Sequence, residues 1–470
     1  MVQVAAISHA EAGDAVAYRN GQTLTAARFL ADAERVAAQL PQRRHVVNLC
    51  VDRYRFSVGL IAALLRDQVS LLPPNQTPDM LRQLQRDYGG LYALSDSPQK
   101  AADMEHVVYG EESAPPPALR PFVVPGFAER QVAAIAFTSG STGAPTPHIK
   151  TWGALARGAS AEVERFALHL GNRAGLVGTV PAQHMFGLES TVLMALRGGL
   201  AMHAGRPFYA ADVADALAEL PGDRVLVTTP VHLRVLLNED IPLPQLRLII
   251  CATAPLSPQI AAQVEARYAA PVHEVYGFTE AGMVATRHTV LGPAWRCLDS
   301  VRLRRDGDVY RVAGGHVEHE VAFNDLIEAR SDDAFVLRGR HADLVNIAGK
   351  RTSLAHLNHH LTSIEGVRDG VFLMPDENAD GVTRLMAFVV APTMKSEVLL
   401  SALRARIDAV FLPRPLFFVD TLPRNATGKL PRETLLRLAQ ACADNNSAQM
   451  GTDKNLSRKG AEGNTTEGIQ

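Results

Sequence analysis

The chain has 470 residues, of which 47% are apolar and 20% are charged, a balance typical of globular proteins. Its 47 basic and 49 acidic residues leave a formal charge of -2, so no surplus of positive charge favours nucleic acid or an anionic membrane as a partner. The four cysteines are far apart and form no CxxC pair, which argues against a zinc site and a disulfide scaffold. The N-terminus has no basic stretch followed by an apolar run, so we expect neither export nor membrane insertion, and a cytoplasmic location.

The first part of the chain predicts an α/β fold. Leu24 to Leu40 has helical periodicity, and His45 to Cys50 is a short apolar strand candidate. The proline-rich stretch 113–125 predicts a surface connection. From Val132 onward, apolar runs such as AAIAF, GLVGTV, RVLVTT and LRLIICA alternate with helix-like stretches, as expected of strands covered by helices on both faces. We predict one large α/β domain of layered sheets and helices over residues 1–338.

The composition changes again near Gly339. Residues 339–442 include the strand-like RLMAFVVA and the helix-like SEVLLSALRARIDAVFL, and they are numerous enough to form a small α+β domain. From Ala443 the chain has no aromatic and few apolar residues, so residues 443–470 are predicted to be a disordered tail.

The segment IAFTSGSTGAPTPHIK, residues 135–150, is the strongest candidate for chemistry. An apolar strand that ends in serine, threonine and glycine exposes backbone N–H groups and hydroxyls that can hold phosphate oxygens. The pattern GxxxxGK[ST] is absent, which disfavours a P-loop ATPase. Taken alone, the segment is also compatible with an ordinary flexible turn.

Four ordered motifs together resemble the adenylate-forming superfamily, which includes acyl- and aryl-CoA synthetases, luciferases and peptide-synthetase adenylation domains. They are TSGSTG, YGFTE at 276–280, GR at 339–340 and PRNATGK at 423–429, and the similarity extends from about Asp14 to Leu436. Members join a carboxylate to the α-phosphate of MgATP, release pyrophosphate, and pass the acyl group to a phosphopantetheine thiol. The resemblance therefore implies ATP and Mg²⁺, an acid substrate, and a large N-terminal domain followed by a small mobile C-terminal domain.

The resemblance also assigns the nucleotide site. It implies that the β- and γ-phosphates are held by Thr138, Ser139, Gly140, Ser141, Thr142 and Gly143. Within YGFTE, which includes Gly277, it implies that Tyr276 stacks on adenine, Thr279 binds the α-phosphate and Glu280 ligates Mg²⁺, a cation that prefers oxygen. Alone, YGFTE is equally compatible with a buried strand end carrying an incidental acid.

The ribose hydroxyls are assigned to Asp325 and Arg340. Here the usual TGD reads FND, so only the aspartate carries over, and a solvent-facing carboxylate is the alternative. Lys429 maps onto the catalytic lysine, whose ammonium stabilises charge as the anhydride forms. The resemblance implies that Lys350 and Arg351 approach the phosphates or the pantetheine channel.

The acid site is predicted from PAQHMFGLES, which resembles a segment of acyl- and aryl-CoA synthetases. His184 would orient the carboxylate or gate the acyl tunnel, which Phe186 would line. Amino-acid adenylation domains have an aspartate after that phenylalanine, whereas this chain has Gly187, and a buried ammonium without its partner is costly. We therefore expect an aryl or fatty-type acid. A structural histidine is the alternative for His184.

Two positions depart from the family pattern. Thr146 stands where a phosphate-loop lysine is usual, so Lys150 is a candidate replacement, and Ala342 occupies the usual hinge position. The length and the stretch 52–78 are similar to stand-alone ligases of aryl-polyene and xanthomonadin-type pigment pathways, which load an acid onto a separate acyl carrier protein. An ordinary acyl- or aryl-CoA synthetase using CoA, and a catalytically silent nucleotide- or acyl-binding protein, are the alternatives.

Overall fold

The structure is a computed structural model that describes residues 2–73, 75–98, 104–110, 121–139, 145–168, 174–307, 309–323, 325–340, 344–347, 350–375, 384–425 and 428–442. The chain divides into two compact units, Met1–Leu337 and Arg338–Gln470. The predicted disordered tail lies outside the described residues, as do residues 113–120 of the predicted connection. The mobility of the C-terminal domain stays a prediction. No helix in the described ranges is long and apolar enough to cross a membrane.

The first unit is rich in strands, and its last strand continues to Arg340. In chain order they are β1 Gln3–Ala5, β2 Ala15–Arg19, β3 Gln22–Thr25, β4 His45–Asn48, β5 Val69–Leu72, β6 Tyr92–Ser95, β7 Glu105–Val108, β8 Gly126–Ala128, β9 Val132–Ser139, β10 Pro145–Thr151, β11 Gly175–Gly178, β12 Ala201–His203, β13 Arg224–Thr228, β14 Leu248–Cys251, β15 Val272–Phe278, β16 Gly282–His288, β17 Ala294–Cys297, β18 Arg302–Asp306, β19 Val309–Gly314, β20 Val317–Ala322, β21 Asp325–Ala329 and β22 Ala334–Arg340.

Helices pack between and against these strands. They are α1 Ala26–Gln39, α2 Arg53–Leu65, α3 Pro78–Asp87, α4 Trp152–Arg165, α5 Met185–Gly187, α6 Met194–Gly198, α7 Ala210–Ala218, α8 Pro230–Asn238 and α9 Pro258–Tyr268, with a π-helical stretch Leu188–Leu193 and a 3₁₀ turn Thr289–Leu291. The predicted helix at 24–40 is α1. Its apolar positions lie on one buried face, and the Thr25 hydroxyl caps it by accepting the N–H of Arg28.

Two sheets carry the first unit. The six-stranded sheet has the order β10-β9-β5-β4-β6-β7, in which β10 alone runs antiparallel to its neighbour. The eleven-stranded sheet has the order β21-β22-β17-β16-β15-β14-β13-β11-β12-β2-β3. Its central strands from β2 to β15 are parallel, because helices return the chain between them, and both ends are antiparallel. A smaller three-stranded sheet is formed by β18, β19 and β20.

The second unit has its own sheets and core. Its elements are β23 Leu344–Ile347, β24 Lys350–Ser353, α10 Leu354–Thr362, β25 Asp369–Leu373, β26 Met386–Val390, α11 Ser396–Arg404, a 3₁₀ turn Ala409–Phe411, β27 Leu416–Phe418 and a helix at 432–442. The sequence predicted one helix over 396–412, but α11 ends at Arg404, and Asp408 caps the separate turn through the N–H of Val410. Buried side chains such as Leu361 and Phe388 fill the unit.

The predicted fold class is confirmed: the molecule is α/β, with layered sheets and helices. The carboxyl ends of parallel strands meet at one edge of a sheet, where ligands bind in such folds. The predicted site segments at Thr138, His184 and Tyr276 lie at or just beyond the ends of β9, β11 and β15. Three motifs that are far apart in the sequence therefore lie at or after the carboxyl ends of strands.

Candidate nucleotide and acid site

The TSGSTG motif lies between two antiparallel strands. Thr138 and Ser139 end β9, and Thr138 faces Thr146 of β10. Gly140, Ser141, Thr142 and Gly143 lie outside the described residues. The Thr138 hydroxyl is 3.0 Å from Nε2 of His148, so the hairpin is fixed by a side-chain contact as well as by its ladder. The phosphate-binding role of the loop stays a prediction.

The YGFTE motif ends β15 in a tight turn. Tyr276, Gly277 and Phe278 belong to the strand, and Thr279 and Glu280 belong to the turn that leads to β16. A Cβ added at Gly277 would lie 2.6 Å from the carbonyl oxygen of Gly282. Only glycine fits there, because the two strands approach too closely for a side chain.

The hairpin and the turn are joined by two contacts. Nε2 of His148 lies 3.9 Å from Oε1 of Glu280, and Nζ of Lys150 donates a 2.9 Å hydrogen bond to the Glu280 carbonyl oxygen. Lys150 is only 7% exposed, so its ammonium lies inside the first unit. Its predicted role in replacing the phosphate-loop lysine stays a prediction, and the sequence had no signal for the bond to Glu280.

Acidic side chains surround this ammonium. Glu189, on the π-helical stretch, lines the same cleft of about 90 Å³ together with Glu280, Glu318 and His316. Burial raises the pKa of Glu189 to about 7, and Lys150 opposes that rise. Burial lowers the pKa of Lys150, while Glu189, Glu280 and Glu318 oppose the decrease. The charges inside this part of the fold therefore compensate one another.

Tyr276 and Asp325 meet across the sheet. The Tyr276 hydroxyl donates a 2.7 Å hydrogen bond to Oδ2 of Asp325, and the Tyr276 ring lies parallel to Phe323 with centroids 6.0 Å apart. Two residues that the sequence predicted for adenine and ribose are thus in direct contact. Arg340 ends β22, and its side chain lies outside the described part of the structure.

His184 follows β11 at the start of α5. Its backbone N–H bonds the Pro181 carbonyl oxygen at 3.2 Å, and the next residues form one continuous helical run through the π-helical stretch to α6. Phe186 is buried. A Cβ added at Gly187 would lie 1.9 Å from the Pro181 carbonyl oxygen. No side chain fits at this position, so an aspartate is excluded here by the backbone itself.

Arg53 is a structural residue that sequence reasoning missed. It is 1% exposed at the start of α2. Its guanidinium donates to the carbonyl oxygens of Gly178 and Val180, at and just after the end of β11, and to the hydroxyl of Thr191. It also donates to two carbonyl oxygens at and just after the end of β12. Burial lowers its pKa to about 10. The arginine belongs to no motif and its partners are distant in the sequence, so the sequence carried no signal for this role.

Lys429 lies on a tight loop in the second unit. Its side chain is exposed, and its N–H donates to Oδ1 of Asn425 at 2.9 Å. Gly428, at φ +76°, supplies the left-handed conformation that closes the loop. Lys350 and Arg351 lie in β24, and their side chains are outside the described part of the structure. The roles of these three residues stay predictions.

The described residues offer few ligands for a divalent cation. Within the described ranges, no group of three or more His, Cys, Asp or Glu side chains is arranged to hold a metal ion by itself. Glu280 offers a partly exposed carboxylate beside the hairpin. One carboxylate completed by phosphate oxygens and water is a set that fits Mg²⁺ and not a dedicated protein cage.

Comparison with known proteins gives a consistent result. The family model of the AMP-binding enzyme matches residues 5–307. The 4-coumarate–CoA ligase of Halorhodospira halophila is 29% identical over 307 residues, which are 62% of this chain and 73% of that protein. The 2-succinylbenzoate–CoA ligase of Bacillus cereus is 26% identical over 354 residues, which are 67% of this chain and 71% of that protein.

Solved structures share the fold. O-succinylbenzoate coenzyme A synthetase from Bacillus subtilis in complex with AMP matches with a TM-score of 0.75 and 20% identity, over 90% of this chain and 95% of that chain. ATP-bound MatB from Rhodopseudomonas palustris matches with a TM-score of 0.76 and 22% identity, over 91% of this chain and 96% of that chain.

Proposed function

The chain belongs to the AMP-binding enzyme family of adenylate-forming ligases, and from this premise we propose that it activates an aryl or fatty-type carboxylic acid with ATP and transfers the acyl group to a phosphopantetheine thiol. The acid oxygen would attack the α-phosphorus of ATP, with pyrophosphate as the leaving group, and the thiol would then displace AMP. The observation that carries this proposal is the meeting of Tyr276 and Asp325, 2.7 Å apart, beside the turn that bears Glu280.

The proposed nucleotide site assigns one task to each residue. Tyr276 offers a ring face to adenine while its hydroxyl orients the Asp325 carboxylate, which accepts hydrogen bonds from the ribose hydroxyls. Thr138 and Thr279 offer hydroxyls to phosphate oxygens. Bound Mg²⁺ would neutralise phosphate charge, and Glu280 is the residue that would hold it. Positioning and electrostatic stabilisation supply most of the catalysis in displacements at phosphorus.

Lys429 is proposed to act on the reacting oxygens. Its ammonium would bridge the acid carboxylate and the α-phosphate and stabilise the charge that develops as the anhydride forms. A compact ammonium on a flexible stem suits a group that must reach its target from a loop.

The proposed acid site lies at the end of β11. His184 would orient the acid carboxylate, and Phe186 would line the pocket. A Cβ added at Gly187 would lie 1.9 Å from the Pro181 carbonyl oxygen, so there is no room for an aspartate that would pair with an α-amino group, which supports an acid without that group. The relatives named for 4-coumarate and 2-succinylbenzoate favour an aromatic acid.

The acceptor is proposed to be a phosphopantetheine thiol, with CoA as the first candidate. The relatives are CoA ligases, which favours CoA. The thiol of a separate acyl carrier protein is chemically the same group, and the stretch at 52–78 that resembles carrier-protein ligases keeps this acceptor as the second candidate.

The experiment offers ATP, a panel of aromatic and aliphatic acids, CoA and a phosphopantetheinylated carrier protein to the same enzyme. Acid-dependent exchange of labelled pyrophosphate into ATP measures the first half-reaction, and mass spectrometry of the thioester identifies acid and acceptor. Absence of exchange across a broad acid panel would contradict the ligase proposal and favour a silent nucleotide-binding protein. A thioester on the carrier but not on CoA would reverse the order of acceptors.

A further inference from the structure

A buried lysine stands directly behind the turn that carries Glu280. Lys150 is 7% exposed, and its Nζ donates to the Glu280 carbonyl oxygen at 2.9 Å. A buried ammonium is costly unless it is paired and hydrogen-bonded, so such a group is retained only where its surroundings compensate for the lost hydration. The lysine that usually follows TSGSTG is replaced by Thr146 on β10, and Lys150 lies four residues further along the same strand.

The other side of the same turn is closed by Glu189. This glutamate is 8% exposed and is the first of the carboxylates that favour the charged form of Lys150. A Cβ added at Gly282, at φ +81°, would lie 2.6 Å from Oε1 of Glu189. The turn at 280–282 therefore lies between the Lys150 ammonium and the Glu189 carboxylate. Glycine is needed at 282 because a side chain there would collide with that carboxylate.

Because Lys150 holds the carbonyl group of Glu280, the backbone there is fixed and the Glu280 side chain can reach fewer positions. The Glu280 carboxylate already lies 3.9 Å from Nε2 of His148, a residue two positions before Lys150 on β10. Both contacts to Glu280 therefore come from one strand, and that strand also carries the end of the TSGSTG hairpin.

We propose that Lys150 is a positioning residue for Glu280: charge-compensated by Glu189, it holds the backbone of the turn so that the Glu280 carboxylate stands ready for the divalent cation that accompanies ATP. This positioning role replaces the direct phosphate contact that the sequence predicted for Lys150. This inference rests on the proposed role of Glu280 in the nucleotide site. It adds Lys150, whose effect passes through the Glu280 carboxylate, and Glu189, which compensates the charge of Lys150.

The test separates loss of the donor from loss of the charge. Lys150→Met/Glu189→Gln removes one positive and one negative charge and deletes the donor to Glu280. Glu189→Gln alone removes the charge that compensates Lys150 but keeps the Lys150 ammonium as a donor to the Glu280 carbonyl oxygen. Lys395→Met, at an exposed lysine of the second unit, is the control for loss of a lysine. ATP affinity is measured by calorimetry with Mg²⁺ and with EDTA, and stability is measured by thermal melting.

We expect the double variant to lose the Mg²⁺-dependent gain in ATP affinity by about tenfold while its ATP affinity in EDTA stays that of the wild type. Glu189→Gln should melt at a lower temperature than the double variant yet keep the Mg²⁺-dependent gain. If Lys150 served only stability, the variant with the lower melting temperature would also lose more of the Mg²⁺-dependent gain in ATP affinity.

Two results would overturn the proposal. An equal loss of ATP affinity in EDTA would mean that Lys150 contacts the phosphates, and an unchanged Mg²⁺-dependent gain would mean that the turn needs no support. Should the double variant fail to fold, Lys150→Leu/Glu189→Gln carries the same comparison. Failure of the wild type to bind ATP, or to exchange pyrophosphate with any acid, would instead count against the proposed function.

Discussion

At the residue scale, Tyr276 links the predicted adenine and ribose parts of the proposed nucleotide site. Its ring packs parallel to Phe323 and its hydroxyl bonds Asp325, so one side chain fixes both a ring face and a carboxylate. The sequence assigned Tyr276 and Asp325 separate tasks on adenine and ribose. Their contact means that substitution of one changes the other.

Tyr276→Phe should raise the KM for ATP about threefold to tenfold and leave kcat nearly unchanged. The ring stays, while Asp325 loses a donor worth about 1 to 1.5 kcal/mol. Steady-state kinetics of pyrophosphate exchange measure this split. Tyr209→Phe, at a tyrosine that is 68% exposed, is the control. A change in kcat at constant KM would contradict the assignment.

Lys429→Ala should abolish adenylate formation and leave ATP binding largely intact, because the ammonium is proposed to act on the charge that develops during the reaction. Pyrophosphate exchange and calorimetric ATP titration measure the two effects. Lys395→Ala removes an exposed lysine from the same unit and serves as the control. Exchange at the wild-type rate in Lys429→Ala would refute the role.

Gly187→Ala should destabilise the first unit by about 3 kcal/mol, since the added Cβ meets a backbone oxygen at 1.9 Å and backbone cannot move aside cheaply. Urea unfolding followed by circular dichroism measures the change. Gly13→Ala is the matched control, because a Cβ at Gly13 meets nothing within 4 Å. Equal stabilities of the two variants would contradict the packing argument.

At the element scale, Arg53 connects α2 to the ends of the parallel strands. Its guanidinium bonds the carbonyls after β11 and after β12 and the hydroxyl of Thr191, which itself bonds the Gly187 carbonyl. A planar guanidinium with five donors can serve carbonyls from two segments and a hydroxyl from a third at once, which an ammonium with three donors is less suited to do. The segment that carries His184 thus begins from a fixed strand end.

Arg53→Met should lower the free energy of unfolding by about 3 kcal/mol, because carbonyl oxygens that are buried around the guanidinium lose their donors. Denaturant titration measures the loss. The control is Arg43→Met, which breaks an exposed 3.2 Å ion pair with Glu105 and should cost less than about 1 kcal/mol. Similar costs for both variants would show that the buried network contributes little.

At the scale of the whole molecule, each of the two units has its own apolar core. The apolar clusters of the first unit include Phe29 and Trp295, and those of the second include Leu361 and Phe388. A unit with its own core can unfold by itself.

Differential scanning calorimetry should therefore resolve two transitions, and ATP should raise the melting temperature of the transition that belongs to the first unit. Ligand that binds one folded unit stabilises that unit by mass action. A shorter chain of residues 1–337 identifies the first transition. A single transition whose van't Hoff enthalpy equals its calorimetric enthalpy would contradict separate unfolding of the two units.

The sequence by itself determined the family, the fold class and the candidate nucleotide residues. The resemblance to adenylate-forming enzymes is confirmed by the family match over residues 5–307, which contains TSGSTG and YGFTE. GR and ATGK lie beyond that match, in the part of the chain where solved structures share the fold. Short motifs can do this because phosphate binding needs glycine and hydroxyl residues in fixed local order. The helix predicted at 24–40 also holds, since its periodicity is local.

Only the tertiary structure decided which residues meet. The bond from Lys150 to Glu280 joins residues 130 positions apart, the contact of Tyr276 with Asp325 spans 49 positions, and Arg53 reaches Val180 across 127 positions. The lack of space at Gly187 depends on the backbone of Pro181. Such contacts follow from the order and register of strands in the sheets, which periodicity and motifs in a single sequence do not specify.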